Sequence, residues 1–110
     1  MLKILIMLAL SIVLSGCGVL KNDLTTLMKE NQYVIIDVRT ESEYNDSHIV
    51  GSINIPYDEI DNRVNLDREK TIFVYCKSGN RSSKAFKKLT DLGYKVYDLG
   101  AYSEIDLEKE

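Results

Sequence analysis

One short stretch of the chain combines a nucleophile with the means to hold an anion: Cys76, Lys77, Ser78, Gly79, Asn80 and Arg81, followed by Ser82. The cysteine comes directly after the apolar residues Ile72, Phe73, Val74 and Tyr75. Beyond the loop, Ala85, Phe86, Leu89 and Leu92 recur at helical spacing. A residue between a buried strand and a helix start lies where unpaired backbone N–H groups and the positive end of the helix dipole converge, a place that favours negative charge. Lys77 and Arg81 add two cations, and Gly79 lets the loop curl. A thiolate held there is a better nucleophile than an ordinary exposed cysteine. Free cysteine is also a common space-filler in cores, but a space-filler does not call for a glycine, two cations and a helix start immediately behind it.

Composition narrows the chemistry. The 110 residues include two cysteines, Cys17 and Cys76, and one histidine, His48, too few for a zinc site of the Cys/His kind, so no metal is expected. Neither a P-loop nor a dinucleotide-binding glycine pattern occurs, so no cofactor is expected. The formal net charge is -3 and no block of like charge is present, which removes nucleic acid from the candidate partners.

The first residues differ from the rest. Lys3 is followed by an almost purely apolar run over 4–14, which reads as a signal peptide covering 1–16. The uncharged stretch 4–20 is 17 residues long, short of the about 20 that a spanning helix needs. Its end, Leu14, Ser15, Gly16, Cys17, resembles the lipobox of bacterial lipoproteins. That resemblance implies that Cys17 becomes the mature N-terminus and carries lipid, palmitate included. The protein would then be tethered to a membrane on the side facing away from the cytoplasm. Residues 17–21 then form a tether and 22–110 a single folded domain. Cys76 is left as a free thiol in an oxidising compartment, a liability unless it is buried or used.

The elements that must position Cys76 follow from pattern. Leu20, Leu24, Leu27 and Met28 mark a helix with Asn22 and Asp23 near its start. Residues 33–38 form a buried strand, and Thr40 with Glu43 forms a capping box that opens a short helix. A small strand over 51–55 ends at Pro56, and a helical turn or two spans 58–64. The strand 71–75 comes next, then the helix ended by Gly93, a strand over 95–99 and a terminal helix over 103–110. Strands alternating with helices specify an α/β fold, a parallel sheet flanked by helices, which binds ligands at the carboxyl ends of its strands.

With the order of elements in place, the motifs resemble a known family. The Cys76 to Arg81 loop is similar to the active-site loop of rhodanese domains. Asp37, Val38 and Arg39 resemble that family's Asp-Val-Arg strand end, Glu43 and Tyr44 its Glu-Tyr pair, and SHIVGSINIP over 47–56 its Gly-His-Ile-x-Gly-Ala-x-Asn-Ile-Pro stretch. The resemblance implies a sulfurtransferase. Cys76 would take a sulfane sulfur from thiosulfate or polysulfide as a persulfide and pass it to a thiol or cyanide. The backbone N–H groups of Lys77, Ser78, Gly79, Asn80 and Arg81 would cradle the sulfur, with the Arg81 side chain stabilising the loop or an anionic donor. Asp37 and Arg39 would orient the loop without reacting; the plainer alternative is a surface ion pair. His48, by its motif position, is structural.

Two other functions compete. A cysteine phosphatase or arsenate reductase also uses a cysteine-to-arginine loop, but with one residue more than the four between Cys76 and Arg81, a ring wide enough for a tetrahedral anion. A non-enzymatic sulfur carrier or protein-binding module is the alternative from another class. Departures from the family pattern are Ser47 for glycine, Ser52 for alanine, and Gly100, Ala101, Tyr102 and Ile105 in place of a late Gly-Gly with a following tryptophan; the residues after the last strand help shape the pocket mouth and so bear on which substrate is accepted.

Overall fold

The computed structural model describes residues 21–110, so the expected signal peptide, Cys17 and most of the tether lie outside the described residues. Four strands, β1 (Tyr33–Asp37), β2 (Ile53–Asn54), β3 (Thr71–Cys76) and β4 (Lys95–Ala101), form one sheet in the order β2-β1-β3-β4, with every neighbouring pair parallel. The helices are α1 (Lys21–Glu30), α2 (Glu41–Asp46), α3 (Ile60–Arg63) and α4 (Asn80–Asp91), with short 3-10 turns at Tyr57–Glu59 and Tyr102–Glu104. Among the described residues no helix is long and apolar enough to cross a membrane.

The central strand β3 is buried along its whole length. Side chains alternate across a strand, so β3 sends Ile72, Val74 and Cys76 into one layer and Phe73 and Tyr75 into the other. The first layer is closed by Ile60 of α3 and by Ala85 and Leu89 of α4. The second is closed by Leu24 of α1 and by Ile105 from the chain's end. The buried face of α4, Ser82, Ala85 and Leu89, falls at the three- and four-residue spacing that turns one stripe of a helix to the core. Gly93, at φ 95°, takes the left-handed turn that ends α4.

The last strand is irregular where it passes the nucleophile. Its register with β3 moves from Val74 opposite Asp98 to Tyr75 opposite Gly100, leaving Leu99 as the extra residue of a bulge. The Gly100 N–H donates to the Asp98 carboxylate at 2.9 Å, and Gly100 sits at φ 80°. Gly79 lies beside this bend: a Cβ there would be 3.8 Å from the Gly100 Cα.

The structure corrects two expectations. Residues 103–110 do not form a helix. After the Tyr102–Glu104 turn the chain runs extended, Ile105 and Leu107 pack into the second layer, and the backbone pairs with 48–50. His48 N–H donates to Glu110 O and Glu110 N–H to His48 O, both at 2.8 Å, while Val50 N–H donates to Glu108 O at 2.9 Å. A partner strand for this backbone outweighs its helix propensity. The strand expected over 51–55 shrinks to Ile53–Asn54 because Gly51, at φ 86°, sits in a turn closed by Ser52 N–H on Ile49 O at 3.0 Å.

Among the described residues, one buried side-chain polar atom lacks a partner: the Thr71 hydroxyl at the start of β3, in a residue 1% exposed. A buried hydroxyl without a hydrogen bond costs stability that an apolar group of the same shape does not. Thr71→Val is expected to stabilise the fold by about 1 kcal/mol, read as a raised midpoint in urea with an unchanged slope; a lowered midpoint would show that the hydroxyl is satisfied.

Candidate active site

Cys76 is the last residue of β3 and is fully buried. The chain leaves the sheet there, exposes Lys77 and Ser78, and turns back at Gly79, whose φ of 97° belongs to the left-handed region that glycine enters without strain. That turn points the Gly79 N–H at the cysteine Sγ, 2.9 Å away. The thiol in turn lies 3.5 Å from the Ser82 Oγ, and the Ser82 hydroxyl donates to the Gly79 carbonyl at 3.2 Å. Cys76, Gly79 and Ser82 therefore form a closed ring of hydrogen bonds over the first turn of α4. Of the cradle expected from Lys77 to Arg81, the Gly79 N–H is the group bonded to Sγ.

Arg81 turns away from the sulfur and clamps the loop to the neighbouring helix. Its Nη1 and Nη2 donate to the two Glu43 carboxylate oxygens at 2.9 and 3.2 Å. Glu43 also accepts from the Thr40 N–H at 3.0 Å, while the Thr40 hydroxyl oxygen accepts from the Glu43 N–H at 3.2 Å, the capping box read from the sequence. One carboxylate thus starts α2 and holds the active loop. The Arg81 guanidinium, with help from Thr40 and against partial burial, brings Glu43 down to about 2, and Glu43 raises Arg81 in return.

Asp37 and Arg39 form a buried pair, not the surface pair that was the plainer expectation. Asp37 is inaccessible and Arg39 is 5% exposed. The Asp37 carboxylate accepts from the Arg39 backbone N–H at 2.8 Å, and from its Nε and Nη2 at distances of 2.6 to 3.0 Å. Burial lowers the Arg39 basicity, but Asp37 more than restores it, so the net shift is upward. Arg39 Nη2 also donates to Ser47 O at 2.5 Å, and its guanidinium lies over the Tyr102 ring at 4.4 Å. The pair's hydrogen bonds run to the α2 end and not to the 77–81 loop. Beside it, burial pushes the Tyr75 phenol up to about 12; its oxygen accepts from the Ile49 N–H at 3.0 Å.

These groups meet around a cleft of about 290 Å³ lined by Arg39, Glu43, Asp46, Lys77, Tyr102 and Ser103. Lys77 reaches this wall, whereas the exposed Ser78 and Asn80 do not line it. His48 serves structure: Nδ1 is 2.8 Å from Tyr44 O, the two rings stack at 3.8 Å, and Nε2 lies 3.3 Å from Glu110. Among the described residues no cluster of His, Cys, Asp or Glu is arranged to hold a metal. Tyr102, expected near the pocket mouth, lines the cleft, whereas sequence reasoning missed the roles of Ser82 and Glu43 and the contact between Tyr102 and Ser47. Ser82 carried a signal, a small hydroxyl in the first turn of the helix on its buried face. Glu43 was explained by its cap alone, and nothing local linked Tyr102 to Ser47, whose hydroxyl it meets at 2.5 Å.

Comparison with known proteins agrees with this fold. The rhodanese-like domain profile matches residues 20–106. The chain is 36% identical over 78 residues to thiosulfate sulfurtransferase PspE of Escherichia coli, covering 67% of this chain and 75% of that protein. It is 39% identical over 62 residues to the putative sulfur carrier protein YrkF of Bacillus subtilis, covering 56% of this chain but only 34% of that longer protein. A solved structure described as rhodanese with anions from E. coli superposes with a TM-score of 0.68 at 34% identity, covering 71% of this chain and 96% of that one.

The Glu43–Arg81 pair generates a pH prediction. A carboxylate whose folded value lies near 2 against an ordinary 4.5 contributes stability that is present above pH 4.5 and lost as pH falls towards 2. Glu43→Gln keeps the cap but not the charge, so the variant should be less stable by about 1 kcal/mol at neutral pH, the partial exposure of the pair screening the rest. The gap should close as pH falls through that window; a gap independent of pH in denaturant titrations would remove the ion pair as its source.

Proposed function

This chain belongs to the rhodanese-like domain family, and from that premise we propose that it is a sulfurtransferase that moves a sulfane sulfur through a persulfide on Cys76. The observation that carries the proposal is the placement of the Cys76 Sγ at the carboxyl end of the central strand, under the Gly79 N–H at 2.9 Å and at the start of α4.

In the first step the Cys76 thiolate attacks the outer sulfur of thiosulfate. A sulfur–sulfur bond forms, the bond to the sulfonate sulfur breaks, and sulfite leaves with the electron pair; three negative charges enter and three remain, one on the persulfide and two on sulfite. In the second step a thiolate or cyanide attacks the outer sulfur of the persulfide and restores the Cys76 thiolate, giving a new persulfide or thiocyanate. The Gly79 N–H and the N-terminal end of α4 face the anionic sulfur in both states. Ser82 has one hydroxyl proton, given to Gly79 O while the thiol donates to Ser82; once the sulfur is anionic, the hydroxyl can turn and donate to it instead. Cys76 itself is fully buried, while the next two residues, Lys77 and Ser78, are exposed, so the loop meets solvent directly beyond the nucleophile. Arg81 stays on Glu43 and keeps the far side of the loop in place.

The lipobox-like ending at Cys17 supports an anchor in this reading, with the domain held at a membrane and facing away from the cytoplasm. Similarity to YrkF supports a second reading, in which the same persulfide is carried between protein donors and acceptors.

Full-length protein in mild detergent, treated with thiosulfate and freed of excess donor, should gain the mass of a single sulfur, and Cys76→Ala should gain nothing. Absence of the gain with both thiosulfate and polysulfide would remove the sulfurtransferase reading. Ser82→Ala should slow sulfite release by about tenfold, the loss of one hydrogen bond to a charged group; an unchanged rate would assign Ser82 to packing alone.

A further inference from the structure

A groove of about 570 Å³ lies between α2 and the 3-10 turn that leads into α3, and it shares no lining residue with the cleft that Lys77 lines. Its volume falls in the range of sites for small organic molecules. The charged linings are Glu41 at the start of α2, Asp58 and Glu59 in the turn, and Arg63 at the end of α3. Arg63 is engaged by Glu59 at 2.9 Å. Glu41 and Asp58 are exposed, stand on different walls, and form no ion pair among the described residues. The groove therefore presents two uncompensated carboxylates.

The neutral groups around them deepen the imbalance. The Thr40 hydroxyl donates to Glu43 at 3.1 Å, the Tyr44 hydroxyl to Ser52 O at 2.6 Å, and the Asn54 amide to Asp37 O and Arg39 O at 2.9 and 3.0 Å. These side chains have turned their donors into the fold, which leaves the exposed Asn45 as the remaining neutral polar lining. An amide with both N–H groups engaged keeps only its carbonyl oxygen, an acceptor. Unused acceptors thus outnumber unused donors, and Tyr44 and Pro56 add carbon surface. A guest that fits brings positive charge and N–H donors at two places on an apolar stem. A metal ion does not meet that description, because among the described residues no group of His, Cys, Asp or Glu is arranged to hold one.

We propose that this groove is a second ligand site, separate from the sulfur chemistry, for an aliphatic diamine or polyamine, with Glu41 and Asp58 each taking one ammonium and Tyr44 and Pro56 lining the stem. Binding changes no covalent bond and requires no sulfur on Cys76. The two carboxylates act as a pair across the groove, so a guest with two charges gains twice where a guest with one gains once.

The test uses isotope-labelled full-length protein in a nonionic detergent, titrated with putrescine, which has two ammonium groups, with butylamine, which carries one on the same carbon stem, and with magnesium chloride. The backbone amide resonances of 40–63 are followed. Putrescine should move the amides of Glu41, Asn54 and Asp58 along one saturable curve, and butylamine should bind about fivefold more weakly, the scale of one exposed ion pair. Glu41→Gln and Asp58→Asn should each weaken putrescine by about the same factor, while the β3 amides of both variants stay in place and show the fold to be intact. Three results would overturn the site: no saturable shift, putrescine binding no tighter than butylamine, or an affinity that neither substitution changes. Magnesium acting on the same amides with the affinity of putrescine would also overturn it, by reducing the groove to a diffuse negative surface.

Discussion

A carboxylate buried at the end of a central strand has to be matched where it stands, because an unpaired charge in the interior costs more than a domain of this size has to spare. Asp37 is in that position, and Arg39, two residues on, folds back to supply three donor groups, its backbone N–H, Nε and Nη2. The surroundings are arranged around the result. The Asp37 backbone carbonyl holds the Ile55 N–H and the Asn54 side chain, which fixes β2 and the chain beyond it. The Arg39 guanidinium reaches the Ser47 carbonyl at the end of α2 and offers its face to Tyr102 from the chain's end. Three segments are thus referred to one ion pair, and two of them, the end of α2 at Asp46 and the turn at Tyr102, wall the cleft that Lys77 also lines.

The nucleophile's loop is attached to this frame at two points that differ in kind. Inside, Gly79 and Ser82 close hydrogen bonds around the sulfur; outside, Arg81 grips Glu43 across a gap of 38 residues. The inner contacts depend on backbone shape, which only a glycine turn provides, and the outer contact depends on charge. Chemistry at the sulfur can therefore alter the inner set without loosening the clamp. The loop passes against the bulged end of β4, where a Cβ on Gly79 would lie 3.8 Å from the Gly100 Cα, an ordinary contact, so it is the φ of 97° and not crowding that asks for glycine at 79.

Much of this was legible in the sequence because it rests on local rules. Successive residues of β3 fall on opposite faces, so Cys76 and Tyr75 had to part company, and the apolar spacing of α4 showed which side faced the sheet. The capping box at Thr40 and Glu43 was readable for the same reason. Long-range pairing was not. Glu43 has two carboxylate oxygens and the cap accounts for its role completely, so nothing nearby in sequence announces Arg81. The expected helix over 103–110 failed through competition of the same sort: Ile105 and Leu107 fit a strand as well as a helix, and the choice was made by open backbone groups at 48–50. The cover that Tyr102 gives the Arg39 guanidinium is likewise long-range, 63 residues beyond Arg39 in the chain.

The pairing of Glu108 and Glu110 with His48 and Val50 joins positions more than half the chain apart, and this bears on how the domain comes into being. Contacts of such sequence separation form late, because the loop between them must be closed before they give any return. A chain emerging from its N-terminal end has α2 and β2 in hand long before residue 110 appears, yet the backbone of 48–50 stays open until it does. The domain therefore completes itself only after its last described residue is free. Until then the backbone of 48–50 is an open edge, and truncation by only a few residues would leave it exposed, a target for proteolysis and for pairing with other chains.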